Sequence, residues 1–178
     1  MIGRLTLIAA YLAAATLTAC SGATPPAAAR PAAAATRGAA LRFAYEGIDG
    51  RPITSEALAN RVSVIGLLTT YDVYSQVEAR FLAALLQHHT PRLNVAVLML
   101  EAPENRPLVE AFTRSLGLPY PVALADAATI AGEGPFAGLH EVPSVVILDQ
   151  QGREAFRHVG LLDEATLEAA VRAVEKGD

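Results

Sequence analysis

Residues 62–75 have the sequence VSVIGLLTTYDVYS, and this stretch decides the fold. Its first seven residues are mostly apolar and rich in β-branched side chains, which is typical of a strand buried on both faces. From residue 73 onward apolar side chains recur at steps of three and four, which predicts a helix that ends near His88. The predicted apolar stripe of this helix consists of Val73, Val77, Phe81, Ala84 and Leu85. The first expectation is therefore a buried strand followed directly by a long helix.

Outward from this stretch, short apolar runs alternate with segments of helical periodicity. An apolar run over 43–45 comes first. The predicted elements are a short capped helix over 55–58, a strand over 94–100, a helix over 106–116, a strand over 120–124, a short helix over 126–131, a hairpin over 144–159 and a last helix capped by Asp163. This order of strands and helices predicts one α/β domain.

The composition of the 178-residue chain excludes several classes of function. The formal charge is −4, and the 14 basic residues are scattered singly, so we expect no nucleic-acid partner. The single cysteine, Cys20, excludes a disulfide within the chain, a cysteine-rich zinc site and a paired-thiol redox centre. No cofactor and no metal ion is predicted.

The first 19 residues have the layout of a secretion signal. Arg4 precedes an apolar run over 5–17, and the string LTAC ends at Cys20. The alternative is an uncleaved membrane helix, but polar residues and Pro25 interrupt the run before it reaches the roughly 20 apolar residues that a span requires. The segment resembles a bacterial lipoprotein signal. This resemblance implies cleavage before Cys20 and attachment of diacylglyceryl and palmitate to its thiol.

Residues 20–40 are expected to form a lipid-anchored linker, because residues 21–40 are rich in Ala and Pro and contain no large apolar side chain. The folded domain is then predicted over 41–178. The lipoprotein resemblance implies a place in the cell envelope, facing the periplasm. Ser21 favours the outer over the inner membrane, because in such lipoproteins Asp at this position is associated with retention in the inner one.

Residues 41–176 also resemble the thioredoxin-like superfamily, in particular its membrane-anchored TlpA/ResA branch of thiol-disulfide oxidoreductases. The strings in register with that branch are Ile48–Arg51, Val62–Thr70, Glu141–Ser144, Leu148–Asp149, Gly152 and Arg157–Gly160. The resemblance implies a three-layer α/β/α fold around a central mixed sheet.

The departure from the family lies at its reaction centre. The match places Tyr71 on the family's tryptophan, Asp72 on the first cysteine of its CxxC motif and Ser75 on the second. Thiol-disulfide exchange requires a thiolate, so no catalytic residue is predicted. Asp72 suits a helix N-cap, with a general base or a ligand as the alternative, and Ser75 with Glu78 fits the spacing of a capping box.

Val142-Pro143 stands where the family has a cis-proline beside its cysteines. The resemblance implies a cis bond, with backbone groups of Val142 offered to an extended peptide by strand addition. Tyr71 and Tyr74 would flank this groove, or would alternatively cover the edge of the core.

Three functions follow as hypotheses. The first is an envelope lipoprotein with a redox-inactive domain that binds an envelope protein or an extended peptide at the Val142–Pro143 groove. The first alternative is an oxidoreductase-family protein that acts in thiol or peroxide metabolism with a partner's thiol. The second alternative is a periplasmic metal carrier using His140 and Asp72, although two dispersed ligands do not make a site. His88 and His89 are predicted to be solvated.

Overall fold

The computed structural model describes residues 38–177. The strands are β1 (Ala44–Tyr45), β2 (Ile53–Thr54), β3 (Val62–Leu68), β4 (Leu93–Met99), β5 (Val122–Leu124), β6 (Ser144–Leu148) and β7 (Glu154–Val159), and the helices are α1 (Val73–His89), α2 (Arg106–Leu116), α3 (Ala127–Ile130) and α4 (Glu164–Lys176). The predicted signal segment, Cys20 and most of the predicted linker lie outside the described residues. Within the described range, none of the helices has the length and apolar character needed to cross a membrane.

Five strands form one sheet in the order β5-β4-β3-β6-β7, with β3 at its centre. On one side of β3, the pairs β3–β4 and β4–β5 are parallel. On its other side, the pairs β3–β6 and β6–β7 are antiparallel. The sheet is therefore mixed, as predicted. β1 and β2 form a separate antiparallel pair.

Both faces of the sheet are covered, which explains why β3 has an almost continuous apolar sequence. All seven residues of β3 are buried. One apolar cluster joins the sheet to α1, α2 and α4 through residues such as Leu82, Val109 and Leu167. A second cluster on the opposite face includes Tyr45 from β1 and Phe136 from a short 3-10 helix.

Gly66 allows α1 to lie close against the centre of the sheet. A Cβ atom at this position would lie 2.8 Å from Cδ1 of Leu82 and 3.3 Å from Cγ2 of Val97. Leu82 is 0% exposed and so is enclosed by the core. The missing side chain at residue 66 thus sets the depth at which α1 packs.

The buried face of α1 differs from the predicted stripe. Val73 is 68% exposed, and Val77, Phe81 and Ala84 are only partly buried, so only Leu85 of the predicted set is fully enclosed. The buried residues of α1 are Ser75, Glu78, Ala79, Leu82, Leu85 and His89. The prediction was wrong because it counted only apolar residues, whereas several inward positions of α1 are polar.

Two further local predictions were wrong. His89 is buried rather than solvated, because α4 packs over it and places Glu168 and Glu175 at 3.9 and 3.8 Å from its two ring nitrogens. Residues 55–60 form consecutive turns instead of a short helix.

Candidate functional site

The candidate site lies at one end of the sheet, where three segments meet. The register places Leu67 of β3 opposite Ser144 of β6, and Ser144 opposite Val159 of β7. The loop over 69–72, the Val142–Pro143 pair and the segment after β7 therefore share one edge. The Gly160 N–H donates to the C=O of Pro143 at 2.8 Å and fastens two of these segments together.

Asp72 is the N-cap of α1, which confirms the capping interpretation. Its backbone is extended, and Oδ2 accepts a hydrogen bond from the Ser75 N–H at 2.6 Å. A short acidic side chain at this position satisfies one of the free N–H groups of the first turn and complements the helix dipole.

The capping box predicted for Ser75 and Glu78 is wrong. Ser75 is fully buried, and its Oγ accepts a hydrogen bond from the Thr69 N–H at 3.3 Å. Oε2 of Glu78 accepts one from the Leu162 N–H at 3.0 Å, on the far side of the site. Each side chain thus accepts a hydrogen bond from a neighbouring segment and does not cap the N-terminus of α1.

Two buried acceptors fix the loop that carries Tyr71. Thr69 N–H donates to Ser75, and Thr70 N–H donates to Oε1 of Glu101, which is 3% exposed at the end of β4. The loop is therefore anchored to α1 and to the segment just after β4, which fixes the backbone leading to Tyr71.

Glu78 is the functional candidate that the sequence interpretation missed. It is 0% exposed, Oε1 has no partner among the described residues, and burial raises the pKa of the carboxyl to about 7 although the hydrogen bond from Leu162 lowers it. A signal was present in the sequence: Glu78 stands three residues after Ser75 and four before Leu82, which are both on the buried face of α1.

Exposed apolar side chains concentrate at this edge. Six large hydrophobic residues of the described range are exposed, and five of them lie on segments that reach the site. We call these five the apolar rim: Tyr71 (75% exposed), Val73 (68%), Tyr74 (61%), Val159 (44%) and Leu161 (38%). The two tyrosines are too exposed to cover much of the core, and their role in flanking a groove stays a prediction.

Val142 brings unpaired backbone groups to the same edge. The Val142–Pro143 bond is cis, and Pro143 is buried while Val142 is half-buried. The C=O of Pro143 is taken by Gly160, but neither the N–H nor the C=O of Val142 is hydrogen-bonded to another described residue. An extended chain alongside Val142 would find both a donor and an acceptor.

The metal-carrier hypothesis gains no support from the described part of the chain. No group of three or more His, Cys, Asp or Glu residues between 38 and 177 has a geometry that would hold a metal ion. His140 is exposed, and its ring lies against Gly132.

Solved structures share this architecture. A thiol:disulfide interchange protein of the thioredoxin family from Chlorobium tepidum matches with a TM-score of 0.68 and 19% identity, over 79% of this chain and 97% of that chain. A DsbF homologue from Corynebacterium diphtheriae matches with a TM-score of 0.68 and 15% identity, over 78% and 87% of the two chains. A secreted thiol-disulfide isomerase from Corynebacterium glutamicum has a TM-score of 0.64 and 19% identity, over 76% and 85%.

These likenesses show that the chain has a thioredoxin-like fold, which confirms the predicted fold class. No family model matches the sequence, and no curated protein matches it.

Proposed function

We propose that this protein is a lipid-anchored envelope protein whose thioredoxin-like domain binds an extended peptide segment, without thiol chemistry of its own, as a binding or assembly module. The observation that carries the proposal is the unpaired backbone of Val142 at the same end of the sheet as the exposed Tyr71 and Tyr74. Backbone hydrogen bonds would supply affinity, and the apolar rim would select apolar side chains.

The residues that match the family's two cysteine positions have structural tasks. Residues 38–177 contain no cysteine. Asp72 is held by the Ser75 N–H, and Ser75 is fully buried with its Oγ accepting from the Thr69 N–H. Neither side chain supplies the thiolate that attack on a disulfide requires. In this proposal, the same end of the sheet offers a surface for an extended chain.

The peptide-binding proposal predicts that Tyr71→Ser with Tyr74→Ser weakens binding. Peptides selected from a random displayed library on immobilised protein are the probe, and isothermal titration measures their affinity for each variant. Because exposed aromatic side chains dominate such contacts, we expect a loss of at least about 10-fold in affinity. Leu108→Ser is the matched control, since Leu108 is 57% exposed but lies on α2.

Two results decide this test. Leu108→Ser should bind like the parent, and amide NMR shifts caused by the peptide should centre on residues 142–144 and 159–161. Selection of no peptide, or equal affinity in the double serine variant and the parent, would refute peptide binding at this edge.

The anchoring part of the proposal is supported by the signal layout that ends at Cys20 and by the thioredoxin-like fold, which the secreted protein of C. glutamicum shares. In cells supplied with radioactive palmitate, we expect the full chain to become labelled. The Cys20→Ser variant should lose both the label and its association with the membrane. A chain that stays membrane-bound and unlabelled with an intact N-terminus would instead indicate an uncleaved anchor. Two or more acyl chains are needed for stable attachment, so the loss on removing Cys20 should be nearly complete.

A further inference from the structure

Glu78 connects the start of α1 to the segment that follows β7. Its Oε2 accepts the Leu162 N–H at 3.0 Å, and the Gly160 N–H donates to the Pro143 C=O at 2.8 Å. Residues 159–162 are therefore fastened at one point to the Val142–Pro143 loop and at another to Glu78. The same segment carries Val159 and Leu161 of the apolar rim.

The closed arrangement disfavours a charge on Glu78. The side chain is 0% exposed, Oε1 has no described partner, and the pKa of the carboxyl is raised to about 7 by burial, which outweighs the lowering effect of Leu162. Burial, together with the charge on Glu78, also raises the pKa of the nearby Tyr120 hydroxyl. Only a hydrogen-bond donor, such as water, at Oε1 would relieve an ionised carboxylate here.

Opposite charges do not compensate Glu78. Among the described residues no ion pair involves it, and Asp72, Glu101 and Asp163, which lie at the ends of adjoining segments, are acids like Glu78 itself. Tyr120, from the segment before β5, is neutral while its proton is retained. The charge state of Glu78 is thus set by whether water reaches it.

We propose that Glu78 couples the order of residues 159–162 to pH: this segment stays closed over the carboxyl while it is protonated, and opens to admit water when it is ionised. By linkage, the arrangement that binds the proton more tightly is favoured as pH falls. The consequence for ligand binding rests on the proposed function, since Val159 and Leu161 form one side of the peptide site. Peptide binding is then expected to be stronger at about pH 5.5 than at about pH 8.

Amide hydrogen exchange on the full chain tests this coupling, after correction for the intrinsic pH dependence of exchange. Between about pH 5.5 and about pH 8, the protection of the Gly160 and Leu162 amides should fall by about 30-fold. In Glu78→Gln, which keeps an acceptor oxygen but does not titrate, protection should be independent of pH. Glu101→Gln is the matched control, because Glu101 is also buried and also accepts a backbone N–H; it should leave the change at Leu162 intact.

A second measurement on the parent protein guards against a variant that does not fold. The ¹³C NMR shift of the Glu78 carboxyl carbon should titrate with the same midpoint as the protection of Leu162. Three results would overturn the coupling. The protection of the Leu162 amide could be independent of pH, it could change with a midpoint different from that of the carboxyl shift, or it could still change with pH in Glu78→Gln. If Leu162 responds as expected but no selected peptide binds at any pH, the peptide-binding proposal fails and the coupling stands.

Discussion

Asp72→Cys combined with Ser75→Cys is expected to give residues 38–178 a disulfide reductase activity, whereas none is expected of the parent. The new thiol at 72 would occupy the N-cap of α1, where helix N–H groups and the dipole favour a thiolate. Lowering a thiol pKa from about 8.5 to about 7 raises the thiolate fraction at pH 7 by roughly 15-fold. The second thiol would replace the fully buried Ser75 and would be placed to resolve a mixed disulfide.

Reduction of insulin by dithiothreitol, followed by turbidity, measures this gain against a reaction without protein. The single variants Asp72→Cys and Ser75→Cys are the controls, because one thiol cannot close an internal disulfide. Replacing the cap and the Ser75–Thr69 hydrogen bond costs about 1 to 2 kcal/mol, so folding is checked by circular dichroism first. An inactive, folded double variant with an ordinary thiol pKa would show that positions 72 and 75 do not stand where a reactive pair belongs.

The same assay, applied to the parent protein, also tests the alternative hypothesis that the protein acts in redox chemistry with a thiol supplied by a partner. Residues 38–178 contain no cysteine, so reduction above the control reaction would contradict the absence of thiol chemistry. Activity that appears only with envelope extract would instead favour the oxidoreductase alternative. A trapped complex that depends on cysteines of the partner would identify that case.

The fold was accessible from sequence because its main signals are local. The apolar run of β3, the helix end at Gly117 and the cap at Asp163 each act within a few residues, and the structure contains all three. The sheet order is not local, since β6 pairs with β3 although the 75 residues 69–143 lie between them. The resemblance to a known family supplied that part.

The site was harder to predict because its main residues act across long sequence separations. Glu78 contacts Leu162, and His89 lies between acids of α4, so neither environment is visible from neighbouring residues. A prediction from apolar periodicity assumes that the polar side chains of a helix face solvent. Three polar residues of α1, Ser75, Glu78 and His89, are buried instead. A polar residue between buried positions of one helix is the sequence signal for such a group.

Glu78→Gln is expected to change how the stability of the whole domain depends on pH. The pKa of the Glu78 carboxyl is raised by burial from 4.5 to about 7 in the folded protein, so between these values the folded state holds a proton that the unfolded state has lost. Stability from this group is therefore fully present below about pH 4.5 and decreases as pH rises towards 7. Each pH unit in this window removes about 1.4 kcal/mol from the free energy of unfolding, and the whole effect is about 3 kcal/mol.

Urea unfolding of the parent and of Glu78→Gln at matched pH values isolates this contribution, because the other titrating groups are common to both proteins. From about pH 4.5 to about pH 8, the difference in unfolding free energy should move in favour of the variant by about 3 kcal/mol. Asp163→Asn is a control of opposite sign: hydrogen bonds from the side chain and backbone of Thr166 lower the pKa of Asp163, so its contribution is lost only as pH falls below its usual range. Parallel pH profiles for the parent and Glu78→Gln would mean that the carboxyl of Glu78 already reaches solvent in the folded protein.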